Sequence, residues 1–214
     1  MGDLILHDYW RSSASWRVRL ALAAKGLAAA RLPVNLVAGD QRGAGHLARN
    51  AQGLVPVLED GPLVLTQSLA IIEYLDERHP DPPLLPSDAA GRALVRGAAL
   101  VIAAEVHPLG NLRVQRWLRD QMGQDDAAIT AWLHHWMHDG LAALDGFAAR
   151  HGGAQIYADR IGLADLCLVP QLYNARRFGL DVAAYPRLLA AEAGVLAQPW
   201  AAGTQPREPL QSST

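Results

Sequence analysis

The sequence predicts an α/β domain followed by an all-helical one, and three observations carry that division. Ahead of residue 80, short apolar runs alternate with helical patterns. Residues 80–86 then read PDPPLLP, and a segment so dense in proline suits neither a helix interior nor a central strand. Beyond it, no segment has convincing strand character. The boundaries so drawn are 1–80 for the first domain, 81–87 for a linker and 88–214 for the second.

Each element has its own signal. Leu4 to His7 reads as a strand, and a helix follows from about Ser15 to Lys25, closed by Gly26. Arg31 to Leu36 is the next strand, then a loop and short helix rich in glycine and alanine. Val55 to Glu59 and Leu63 to Leu65 form two strands joined around Asp60-Gly61, and a helix runs from Ser68 to Arg78. The order is βαβ followed by αββα. Past the linker, residues 88–118, 126–150, 162–178 and 186–197 have helical length and apolar spacing. The tail from Gly203 to Thr214, GTQPREPLQSST, is polar and is expected to fray. Pro56 leaves two readings open, because proline cannot donate to a central ladder. Either Val55 to Glu59 is an edge strand, or a cis peptide at its start turns the Val55 backbone outward as a peptide-binding edge.

Composition narrows the function. The 214 residues are half apolar, and 19 basic against 21 acidic side chains leave a net charge of −2. That balance argues against a general nucleic-acid binder and against intrinsic disorder. The single cysteine, Cys167, excludes an intrachain disulfide framework or a multi-cysteine zinc site; it lies in an apolar helical stretch and reads as a buried, inert thiol. Apolar stretches such as Gly97 to Ala104 are far too short to span a membrane. The opening MGDLILHDYWR resembles neither a secretory signal nor a myristoylation site, so a soluble cytoplasmic protein is expected. His134 and His138 in HHWMH share a helix face, but nothing nearby completes a metal site, and no metal is expected.

Chemistry concentrates in two places. Ser12, Ser13 and Ser15 stand between the first strand and the first helix, where serines either cap the helix or, with its N–H groups and dipole, hold an anion. Thr66-Gln67-Ser68 repeats the arrangement at a second helix start, with donors able to hold a carboxylate.

The runs WRSSASWRVRLAL, VP at 55 and 56, QSLAIIEYL from Gln67, HPLGN from His107, LADLCLVPQ from Leu163 and ARRF from Ala175 resemble zeta-class glutathione transferases. That class holds the maleylacetoacetate isomerases and their bacterial maleylpyruvate isomerase relatives. The resemblance covers residues 4 to 190 in consistent order. It implies a thioredoxin-like N-terminal domain, an all-helical C-terminal domain and a homodimer with glutathione bound between the domains. It also implies roles for particular residues. Ser12 and Ser13 face the glutathione thiol, Val55 with Pro56 pairs with the cysteinyl backbone, and Gln67 with Ser68 holds the γ-glutamyl end. His107 and Asn111 approach glutathione from the helical domain. Arg11 and the arginine before Phe178, Arg177, line the substrate pocket, joined by Arg113 as in maleylpyruvate isomerase-like members.

The implied reaction is a glutathione-dependent cis–trans isomerisation of a maleyl-keto acid in aromatic catabolism. A bond conjugated to a ketone must become single to rotate, and a sulfur nucleophile adding reversibly achieves this. Ser12, at a helix N-terminus, is the first choice to favour the thiolate, with Ser13 and Arg11 completing the catalytic set. Three guanidinium groups suit a substrate with two carboxylates. Two departures from the family pattern stand out: Ala14 replaces the cysteine of the common SSC run, and Gly162 replaces the Ser or Thr that caps the helix carrying Asp165, itself read as a buried structural acid. A transferase or dehalogenase acting on small electrophiles such as α-haloacids, and a non-catalytic glutathione transferase-like binding module, are the alternatives. The serines, Gln67-Ser68 and the arginines argue against the second of these.

Overall fold

The computed structural model describes residues 4–207. One unit takes the described residues up to Pro83 together with those from Gln198 onward, and the other is Leu84–Ala197.

In the first unit, β1 (Leu4–Asp8), α1 (Ser13–Ala24) and β2 (Ala29–Pro33) form the expected βαβ turn of chain. A 3-10 turn at Asp40–Arg42 and the short α2 (Ala44–Leu47) lead to β3 (Val57–Asp60), β4 (Leu63–Thr66) and α3 (Ser68–Arg78). A 3-10 helix, Pro199–Thr204, closes the unit. The sheet order is β2-β1-β3-β4, with β1 parallel to β2 and β3 antiparallel to both β1 and β4. Leu6, Val57 and Leu58 are wholly buried, as are Leu20 on α1 and Ile71 and Leu75 on α3, which packs against α1. Burying each such side chain contributes roughly 1.5–3 kcal/mol.

Local chemistry explains the boundaries. Ser12 caps α1, its Oγ accepting from the Ser15 N–H at 3.2 Å, so the helix starts earlier than the apolar pattern suggested. It ends where Gly26 adopts φ 65°, with Gly26 N–H on the Ala23 carbonyl and Leu27 N–H on that of Leu22. Pairing of Leu4 with Ala29 through Asp8 with Pro33 places β2 two residues ahead of the expected strand. The Val55–Pro56 peptide is cis and precedes β3, resolving the choice the sequence left open. Lys25 is buried and ties three segments together, its Nζ donating to Asp76 Oδ1, the His79 carbonyl and the Pro82 carbonyl.

The second unit contains α4 (Ala89–Leu100), a π-helical stretch (Val101–Val106), α5 (His107–Leu109), α6 (Leu112–Asp120), α7 (Asp126–His151), α8 (Leu163–Arg177) and α9 (Pro186–Leu196). The single helix expected over 88–118 is therefore interrupted. Pro108 has no N–H to continue the ladder, and after Gly110 the chain restarts with Asn111 as cap, its Oδ1 accepting from the Arg113 N–H. α7 approaches the π stretch so closely that a Cβ on Gly140 would lie 2.0 Å from Val106 Cγ2.

Two segments join units other than those the composition suggested. Leu84 and Leu85, the apolar end of PDPPLLP, are buried, and the Leu84 carbonyl accepts from the Leu163 N–H at 2.9 Å, so they group with the helical unit. Residues from 198 group with the sheet unit, where Trp16 Nε1 donates to Thr204 Oγ1 and Arg19 Nε to the Thr204 carbonyl, both at 2.9 Å. Of the tail expected to fray, Gly203 and Thr204 thus belong to a helix, while residues 208–214 lie outside the described residues. Among the described residues no helix is long and apolar enough to cross a membrane.

Candidate active site

The first unit gathers its candidates at three chain reversals. At the end of β1, the Ser12 N–H donates to the Tyr9 carbonyl at 2.9 Å, folding Trp10 and Arg11 into a tight bend ahead of α1. Arg11 is exposed, with its guanidinium 5.2 Å from the centre of the Trp10 ring. Ser12 is half-buried and Ser13 and Ser15 are buried. The Ser12 Oγ accepts from Ser15, so its own proton is available to be donated elsewhere. Ala14 is half-buried beside them.

A buried ion cluster holds this bend from behind. Arg19 Nη1 contacts both carboxylate oxygens of Asp8, at 2.7 and 3.0 Å, and its Nη2 donates to the Trp10 carbonyl at 3.0 Å. Arg31 binds Asp8 from the solvent side. Burial lowers the Arg19 pKa and Asp8 opposes that shift, leaving a guanidinium that stays charged.

The second reversal precedes β3. His46 Nε2 and Asn50 Nδ2 both bond the Leu54 carbonyl at 2.9 Å, fixing the residue before Val55 and Pro56. A carbonyl only accepts, so His46 donates through Nε2. The third reversal is the start of α3. Gln67 adopts φ 69°, and its side chain reaches Gln52 Oε1 at 2.8 Å instead of capping the helix. Ser68, the first helical residue, is buried, and its Oγ accepts from Arg17 Nη1 at 3.3 Å.

The second unit carries the other four candidates. His107 opens α5 and is half-buried. Asn111 commits its Oδ1 to capping α6, which leaves its amide N–H groups as donors, and Arg113 in the first turn is exposed. The adjacent arginines of ARRF part company. Arg176 forms a two-pronged ion pair with buried Glu192, which raises its pKa, whereas Arg177 is exposed, bonded to Asn174 Oδ1 and stacked 4.1 Å from the Phe178 ring centre. His134 bonds the Phe178 carbonyl and His138 the Tyr185 hydroxyl. Asp165 is 1% exposed and accepts from the Ile156 and Gly162 N–H groups, at 2.9 and 2.8 Å. Cys167 is buried.

Sequence reading missed Arg17, Arg19, His46 and Asn50. The signal for the first two was present in WRVRLAL, where arginines two apart interrupt an apolar helix; for His46 and Asn50 there was none.

Comparison with known proteins agrees with these features. Residues 2–77 match the family model "Glutathione S-transferase, N-terminal domain". The maleylacetoacetate isomerase of Pseudomonas aeruginosa is 48% identical over 86% of this chain and 86% of its own. A holo structure of maleylpyruvate isomerase, described as a bacterial zeta-class enzyme, superposes with a TM-score of 0.91 at 39% identity, covering 94% of this chain and 96% of that one. The maleylacetoacetate isomerase of Anaeromyxobacter dehalogenans, solved with dicarboxyethyl glutathione and citrate in its active site, has a TM-score of 0.85 at 43% identity, covering 98% of each chain.

Proposed function

This chain belongs to the zeta-class glutathione transferases, the family of the maleylacetoacetate and maleylpyruvate isomerases, and from that membership we propose that it is a glutathione-dependent cis–trans isomerase of a maleyl-keto acid. The observation that carries the reading is Ser12. Its Oγ accepts from the Ser15 N–H at the start of α1, which turns its O–H proton away from that N–H and leaves it to donate beside a helix N-terminus. That arrangement suits a thiolate, and the donors at Ser68 and the start of α3 suit the carboxylate of a γ-glutamyl group.

Glutathione, when bound, supplies a sulfur nucleophile whose reversible addition lets the cis double bond rotate. The protein's residues do the rest. Ser12 donates toward sulfur and, with Ser13, draws a thiol pKa down from about 8.5. Val55 and Pro56 present the peptide-pairing edge, Gln67 and Ser68 hold the γ-glutamyl end, and His107 and Asn111 contribute donors from the helical unit. Arg11, Arg113 and Arg177 bind the substrate's two carboxylates and the oxygen on which negative charge develops. The first unit is thus the glutathione domain and the second the substrate domain, in a cytoplasmic homodimer.

The test is isomerisation of maleylacetoacetate and of maleylpyruvate followed with and without glutathione, alongside thermal melting. Turnover that requires glutathione, and a melting temperature that rises with its concentration, are expected. No turnover of either acid and no shift at several millimolar glutathione would remove the reading.

A further inference from the structure

Arg17 is sealed inside the protein, 1% exposed, and yet it ends on one of the residues assigned to glutathione. A guanidinium has five N–H donors, no acceptor, and no accessible neutral form. A serine hydroxyl can donate or accept. When Arg17 Nη1 donates into the Ser68 Oγ, the hydroxyl proton must turn away from the cation, so Ser68 is fixed as a donor.

A second observation sets further donors beside that one. The first intrahelical bond of α3 runs from the Ile71 N–H to the Gln67 carbonyl, so the N–H groups of residues 68–70 have no intrahelical acceptor. The cap residue does not receive them either, because the Gln67 side chain is bonded to Gln52. The positive end of an 11-residue helix, a hydroxyl locked as a donor and a buried cation behind it therefore coincide. We propose that Arg17 is the positioning residue of the γ-glutamyl carboxylate subsite: it orients Ser68 as a donor and adds its charge to the potential that holds the carboxylate. This rests on the assignment of Gln67 and Ser68 to glutathione.

The test uses the full chain, the maleyl-keto acid as acceptor, and two thiols, glutathione and cysteinylglycine, the latter lacking the γ-glutamyl group. Arg17→Met should raise KM for glutathione roughly 10-fold or more, with kcat at saturating thiol changed much less, and should leave KM for cysteinylglycine unaltered. Arg17→Lys keeps the charge and a donor, and should recover part of the loss; it also carries the test if Arg17→Met does not fold. Ser68→Ala separates the two levels of the argument. If it leaves glutathione KM unchanged, the assignment of Ser68 itself fails. If Ser68→Ala raises KM while the Arg17 variants do not, only the role of Arg17 is lost. Equal loss with both thiols would make Arg17 a structural cation and overturn the proposal.

Discussion

Replacing Asp165 with asparagine tests the helical unit through its pH dependence. Burial pushes the Asp165 carboxyl up to about 6 from 3.8, against the pull of the Ile156 and Gly162 N–H donors. The folded pKa lies above the unfolded one, so the group's contribution to stability is complete below pH 3.8 and is lost as pH rises through about 6. A shift of that size corresponds to a loss of about 3 kcal/mol at alkaline pH, of which about 1.4 kcal/mol falls between pH 5 and 8. Asparagine does not titrate. It also presents an NH₂ where the protein offers two N–H donors, one on each oxygen, so it costs roughly 1–3 kcal/mol at every pH. Urea unfolding of both proteins at pH 5, 6, 7 and 8 should show the natural chain more stable at pH 5, with the gap narrowing toward pH 8. A gap that is constant, or that widens with pH, would mean that Asp165 is ionised throughout and that its N–H partners outweigh burial.

Gly140→Ala should destabilise by about 1–3 kcal/mol in urea, because its Cβ would overlap Val106, and adding Val106→Ala should restore much of the loss. Ser12→Ala should lower kcat for the maleyl-keto acid by roughly 10- to 1,000-fold with a smaller change in glutathione affinity, and cost about 1 kcal/mol in thermal or urea unfolding as the α1 cap is lost. Arg177→Met should reduce kcat/KM for a dicarboxylate about 30- to 1,000-fold while a neutral electrophile such as chlorodinitrobenzene reacts at nearly the same rate; equal losses on both would make Arg177 structural.

Much of this fold could be read locally. Every strand and most helices announced themselves through apolar period, Gly26 and the Ser12 cap, because those signals act within a few residues. The exceptions depended on distant partners. β2 shifted because β1 sets its register, and residues 84 and 85 joined the helical unit because Leu84 meets Leu163. The break near residue 108 was marked by Pro108, but the π turn before it was not, and Val106 in that turn packs against Gly140. The site divides along the same line. Motifs named Ser12, Gln67, Ser68 and Arg177, whereas the supports behind them, Arg17 under Ser68 and Arg19 under Trp10, emerged only when α1 was set against α3 and the β1 bend.

The bonds from Trp16 and Arg19 to Thr204 also constrain the order in which the chain can be completed. A ribosome delivers the sheet and its three helices long before it delivers Thr204, some 190 residues after Trp16. Until then, Arg19 faces an unfinished socket with Asp8 and Trp10 in place and the Thr204 carbonyl still to come. The first unit therefore cannot reach its final state before the helical unit has been made. It is completed only when the segment 198–204 follows.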